Sequence, residues 1–111
     1  MDIQTFIEDW LKRSNAYDTA GYLNMYAKKA VLDDPSVGKK FEGHAGVQQY
    51  FEDYFIGYKT KTRLVKLEVQ SADTAHLEVE FTGDFPEGRI GGIFDFVFKN
   101  NKIIFVKAAL R

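Results

Sequence analysis

The side chains able to do acid–base chemistry are few. Asp33 and Asp34 stand immediately before Pro35. Adjacent strand residues point to opposite faces, so one of the pair can enter an interior while the other faces water. A carboxylate beside an apolar cavity can take or deliver a proton, whereas an Asp ahead of a proline can equally cap backbone amides and meet no ligand. If both turned inward, their repulsion would raise one pKa and divide acid from base. His44 precedes a helical pattern, where a polar side chain is expected to satisfy free backbone groups rather than act as a base. His76 alternates with Glu78 and Glu80. Imidazole and carboxylates are metal-ligand types, but these three spread along about 13 Å of strand, too far for one ion. No metal is expected, and the three are read as surface or interface groups.

Tyrosines recur at helical spacing as Tyr22 with Tyr26 and as Tyr50, Tyr54 and Tyr58. Most are expected in the core or at a rim. A buried phenol needs a partner, and Tyr26 and Tyr50 are the candidates to turn into a cavity as donors. Lys59, Lys61, Arg63 and Lys66 are the densest basic stretch and read as protection of a sheet edge. Gly91-Gly92 has no following helix, so it lacks the context of a phosphate-binding loop and reads as a bulge or bend.

The elements that position these groups follow from periodicity. Ile3, Phe6, Ile7, Trp10 and Leu11 make an amphipathic helix with Asp2 as cap, expected to end near Arg13 at Ser14 and Asn15. A second helix from Tyr17 or Asp18 presents Tyr22, Leu23, Tyr26 and Ala27, followed by a strand over 30–33 that Pro35 terminates. Lys39 to Glu42 returns as a second strand, and a third helix from Gly43, ending near Gly57, carries Val47, Tyr50, Phe51, Tyr54, Phe55 and Tyr58 inward. From Thr60 the period becomes two, enough for four strands joined by hairpins, with Asn100-Asn101 as a positive-φ turn and a bulge near Leu64 and Val65. Helices grouped ahead of a curved antiparallel meander can cover only its concave face, giving an α+β cone able to enclose a ligand.

Composition narrows the function classes. A chain of 111 residues supports one core, so a single domain over 1–111 is expected. Fifteen Lys and Arg against sixteen Asp and Glu create no field to draw nucleic acid or anionic lipid, and neither partner is expected. The absence of cysteine excludes disulfides and thiolate chemistry and is compatible with a reducing compartment; the cytoplasm is the expected location. The first residues carry Asp2, Glu8 and Asp9 without an apolar run, which does not suit a secretory signal.

The element order, with Asp33-Asp34-Pro35 and then Phe41-Glu42-Gly43-His44-Ala45-Gly46-Val47 at a helix start, resembles the nuclear transport factor 2-like superfamily, its SnoaL-like branch above all. The resemblance spans the whole chain, with local similarity confined to residues 30–47. Its members include ketosteroid isomerases, polyketide cyclases, limonene epoxide hydrolases and non-catalytic transport and scaffold proteins, so fold transfers further than activity. It implies that Asp34 occupies the place of the isomerases' general base, with Asp33 facing out. Trp10 stands at the oxyanion tyrosine position and Phe94 at that of the protonated acid, a departure that weakens isomerase chemistry.

The family register also implies a greasy pocket of Trp10, Tyr50, Phe94, Phe96, Phe98, Val106, Ala108 and Leu110. Ile93, Val97, Ile103 and Phe105 then lie on the opposite side, to be covered in a homodimer. Two readings stand at this point. One is a small dimeric domain that binds an apolar or aromatic molecule and does cofactor-free isomerase, cyclase or hydrolase chemistry through Asp34. The other is a non-catalytic binding or dimerisation module in which Asp34 is a turn residue. No phosphate, flavin or nicotinamide motif is visible, and no cofactor is expected.

Overall fold

A computed structural model describes residues 1–111. Helix α1 (Ile3–Asn15) and helix α2 (Thr19–Asn24) lead into strand β1 (Tyr26–Asp34), a 3-10 turn (Pro35–Val37) and strand β2 (Lys39–Glu42). Helix α3 (Gly43–Phe51) continues as a π-helical turn (Glu52–Ile56), and strands β3 (Lys61–Val69), β4 (Thr74–Thr82), β5 (Arg89–Lys99) and β6 (Lys102–Leu110) complete the chain. The six strands form one curved sheet in the order β2-β1-β6-β5-β4-β3, with the helices on its concave face. Every neighbouring pair is antiparallel except β1 with β6, which run parallel, a pairing that the long connection through α3 and β3 to β5 permits. No helix is long and apolar enough to cross a membrane.

Alternation does what period two demands in β4, where Ala75, Leu77, Val79 and Phe81 are buried against the helices. The expected bulge in β3 falls between Leu64 and Lys66. Asn100 and Asn101 both adopt positive φ, 53° and 61°, as a two-residue hairpin requires. β3 is one of the two edge strands, and Lys61 there lies 4.3 Å from the centroid of the Tyr17 ring.

Four expectations need correction. Ser14 and Asn15 continue α1 rather than ending it. The Asn15 amide acts as a short piece of strand, its Nδ2 donating to the Thr62 carbonyl at 2.9 Å and its Oδ1 accepting from the Thr62 amide at 2.7 Å. Tyr26 and Ala27 belong to β1, not to α2. Helical spacing from Tyr22 is overridden by pairing of Tyr26 with Ile103, and the two phenols still meet at 2.8 Å. Of the bulge or bend expected at Gly91-Gly92, the bulge is absent, since pairing with β4 keeps register through both residues. The glycine at 92 makes room for the Phe81 ring, which would lie 2.2 Å from an added Cβ. Finally, Ile103 is fully buried in the core, because an extra residue in β6 between the pairs Val97–Phe105 and Phe98–Ile103 reverses its parity.

Candidate functional site

Asp34 is the last residue of β1. Leu32 and Asp34 point to the concave side, and Asp33 points out between Lys40 and Lys107 of the neighbouring strands. Pro35 cannot continue the ladder, so the chain turns there. Asp34 caps that turn, Oδ1 accepting from the Ser36 amide at 3.0 Å and from the Ser36 hydroxyl at 2.5 Å. The residue is nevertheless only 5% exposed, and its Oδ2 accepts from the Tyr50 hydroxyl at 2.8 Å. Capping and inward placement, alternatives on sequence grounds, hold together here because the two oxygens serve different partners.

Tyr50 reaches Asp34 because of the segment that starts α3. Gly43 has φ +67°, and a Cβ on Gly46 would sit 2.9 Å from the Phe41 carbonyl carbon, so the helix lies directly against β2. His44 ties the same helix start to β1: its Nε2 is 2.8 Å from the Tyr26 carbonyl oxygen, which can only accept, so Nε2 carries the proton. Burial, then the Asp34 charge, holds the Tyr50 phenol well above its ordinary pKa, and it remains a donor. Past Phe51 the helix widens, with Gly57 N–H donating to the Glu52 carbonyl five residues back at 2.8 Å. The widened turn brings Tyr54 and Phe55 to the same side as Tyr50, their rings 5.4 and 5.7 Å from its ring.

These residues bound a cavity of about 290 Å³. Asp34, Ser36 and Val37 form one wall and Tyr50, Tyr54, Phe55, Tyr58 and Thr60 another. The sheet contributes Phe81, Ile90 and Leu110, and the β4–β5 turn contributes Phe85, Pro86 and Glu87. Tyr58 and Phe85 meet edge to face at 6.3 Å. Of the residues expected to contact a ligand, Asp34, Tyr50 and Leu110 are brought together here, joined by Tyr54 and Tyr58, expected in the core or at a rim.

Trp10, Tyr26, Phe94, Phe96, Val106 and Ala108 are elsewhere, in the solid core under α1 and α2, each at most 3% exposed. Trp10 packs edge-on against Phe94 at 5.1 Å and Phe96 at 5.3 Å. Its indole N–H donates to the Tyr26 hydroxyl at 3.2 Å, which donates to that of Tyr22. Burial raises the Tyr26 pKa to about 12 and that of Tyr22 well above its ordinary value. The cavity therefore occupies one end of the cone, and the other end is filled.

Sequence reasoning did not assign Phe55, Phe81, Phe85, Pro86, Glu87 or Ile90 to a pocket. Phe55 and Phe81 carried the right signal, inward periodicity, but so did the core. Phe85 and Pro86 lie in the β4–β5 connection, where no periodicity gives a side chain an inward direction. No three His, Asp or Glu side chains converge as a metal site. His76 lies on the convex face, its Nδ1 2.6 Å from Asp95 and its Nε2 3.1 Å from Glu78, and the Asp95 hydrogen bond chiefly raises its pKa.

Three helices laid over the hollow of a bent six-stranded sheet make a nuclear transport factor 2-like fold. The chain belongs to the SnoaL-like domain family, whose model matches residues 7–106. Solved structures agree on the fold. A proposed polyketide cyclase from Sinorhizobium meliloti superposes with a TM-score of 0.84 at 16% identity, over 94% of this chain and 93% of that one. A proposed ketosteroid isomerase from Kribbella flavida gives 0.83 at 12% identity, over 96% and 76%. The Mycobacterium tuberculosis protein RV0760c, solved in complex with estradiol-17beta-hemisuccinate, gives 0.81 at 15% identity, over 95% and 90%. At these identities the likeness establishes shared architecture. No curated protein matches the chain.

Proposed function

We propose that the protein is a homodimeric domain binding a small apolar or aromatic molecule in this cavity, with cofactor-free proton transfer of isomerase or cyclase type at Asp34. The observation that carries the reading is a carboxylate 5% exposed in the wall of an aromatic cavity, hydrogen-bonded only by neutral donors. A carboxylate offers about four lone-pair sites, and three are used, leaving Oδ2 able to accept a proton from carbon beside a carbonyl. The Tyr50 phenol orients that oxygen. Donors for the resulting enolate oxygen cannot be Trp10 or Phe94, since the first donates to Tyr26 in the core and the second has no donor. The Ser36 and Thr60 hydroxyls are committed to Asp34 and to the Tyr54 carbonyl. Tyr54 and Tyr58 are the phenols left to serve.

The cap that Asp34 makes to the 3-10 turn favours the second reading, a binding module without turnover. Proton exchange on a panel of unsaturated ketones separates the two. Asp34→Asn should lower the exchange rate at least about 100-fold, the lower range for a positioned general base. Equal rates in parent and variant leave binding as the function.

A further inference from the structure

The cavity has an electrostatic sign. Its wall holds two carboxylates, Asp34 and Glu87, and no lysine, arginine or histidine. The chain as a whole is near balance, with fifteen basic and sixteen acidic residues, whereas this wall carries acids alone. The other acids that make ion pairs find them outside the cavity: Asp9 and Asp18 with Arg13, Glu80 with Arg63 and Arg89, Glu78 with His76 and Arg111, Glu68 with Lys66, and Asp95 with His76. Asp34 makes none, although it is nearly excluded from water. Lys39, its cross-strand partner in β2, instead lays its ammonium 4.9 Å from the centroid of the Phe41 ring. Glu87 stands exposed on the β4–β5 turn, also unpaired.

Six aromatic rings complete the wall: Tyr50, Tyr54, Tyr58, Phe55, Phe81 and Phe85. Aromatic faces are negative and attract cations, most strongly where water is excluded. A buried carboxylate held by neutral donors but balanced by no counter-charge gains from a cation delivered into its reach. An anion would meet both carboxylates and the ring faces as repulsion.

The geometry points to a small aromatic ammonium ion as the ligand class of this cavity. The apolar skeleton would lie against the rings, with the amine directed to the free lone pair of Asp34. This inference rests on the reading of the cavity as a site for apolar molecules and adds the charge that such a molecule carries. A cavity of about 150 Å³ holds one benzene ring, so about 290 Å³ suits a two-ring skeleton.

Calorimetry with three naphthalene probes of one shape tests it at neutral pH: 2-naphthylmethylamine, 2-naphthylmethanol and 2-naphthoate. The amine should bind at least tenfold tighter than the alcohol, and the carboxylate should give no measurable heat. In Asp34→Asn the amine and the alcohol should come within about twofold of each other, and in Glu87→Gln the preference should shrink by a smaller factor. The parent comparison stands even where Asp34→Asn does not fold. If the alcohol binds as tightly as the amine, or the naphthoate more tightly, the charge inference is overturned and the apolar pocket survives. If none of the three binds, the pocket reading falls and takes the inference with it.

Discussion

Asp34 and Tyr50 are separated by sixteen positions, and a single 2.8 Å hydrogen bond joins the end of β1 to the middle of α3. Removing the phenolic oxygen leaves a buried carboxylate with one donor fewer. Tyr50→Phe should therefore destabilise the protein by about 1–3 kcal/mol, the range for leaving a buried polar group underserved. Urea unfolding followed by tryptophan fluorescence checks this, since Trp10 is the one tryptophan and is fully buried. No loss of stability would mean that the carboxylate does not depend on Tyr50. The sequence singled out both residues, but not their bond: inward direction is a local property of each element, whereas a hydroxyl-to-carboxylate contact needs both elements placed.

Among the elements, α3 does most to shape the site, and its seat on β2 depends on glycine. A methyl on Gly46 would press into the Phe41 backbone, which cannot swing aside as a long side chain can. Gly46→Ala should cost about 1–3 kcal/mol through overpacking, and should also lengthen the Tyr50–Asp34 contact as the helix lifts. Thermal unfolding reads the first effect and a crystal structure of the variant the second. An unchanged melting temperature would show that the helix is not held so closely. The Gly-His-Ala-Gly run was legible as a helix start. Its second glycine as a contact point was not, because a close approach of backbones leaves no periodic trace. The π-helical turn was hidden for a similar reason: Tyr50, Tyr54 and Tyr58 fit an ordinary helix equally well.

At the scale of the whole molecule, the convex face of the sheet carries a row of half-buried apolar side chains, Val31, Phe105 and Val97, paired across three strands, with Ile93 beside them. Charged pairs border that row, including His76 with Asp95 and Arg111 with Glu78. The proposed homodimer would bury this row between two copies. Sedimentation of the 12.7 kDa chain should give twice that mass, and Phe105→Glu should give the single mass with its circular dichroism retained. A parent that sediments as one copy removes the dimer from the proposal.

Local physics by itself settles much of the architecture. Apolar spacing marked α1 and α3, strict alternation marked β4, two asparagines marked the β5–β6 turn, and a proline marked where β1 must stop. Each depends on neighbours within a few residues, and the chain order records those neighbours directly. Tertiary structure decided which inward-facing aromatics are core and which are wall. Trp10, Phe94 and Phe96 obey the same periodicity as Phe55 and Phe81, yet the first group fills one end of the cone and the second surrounds the open end. A cavity is the volume left over once all side chains from six strands and three helices have been placed. That remainder is a property of their sum, and no single element carries it.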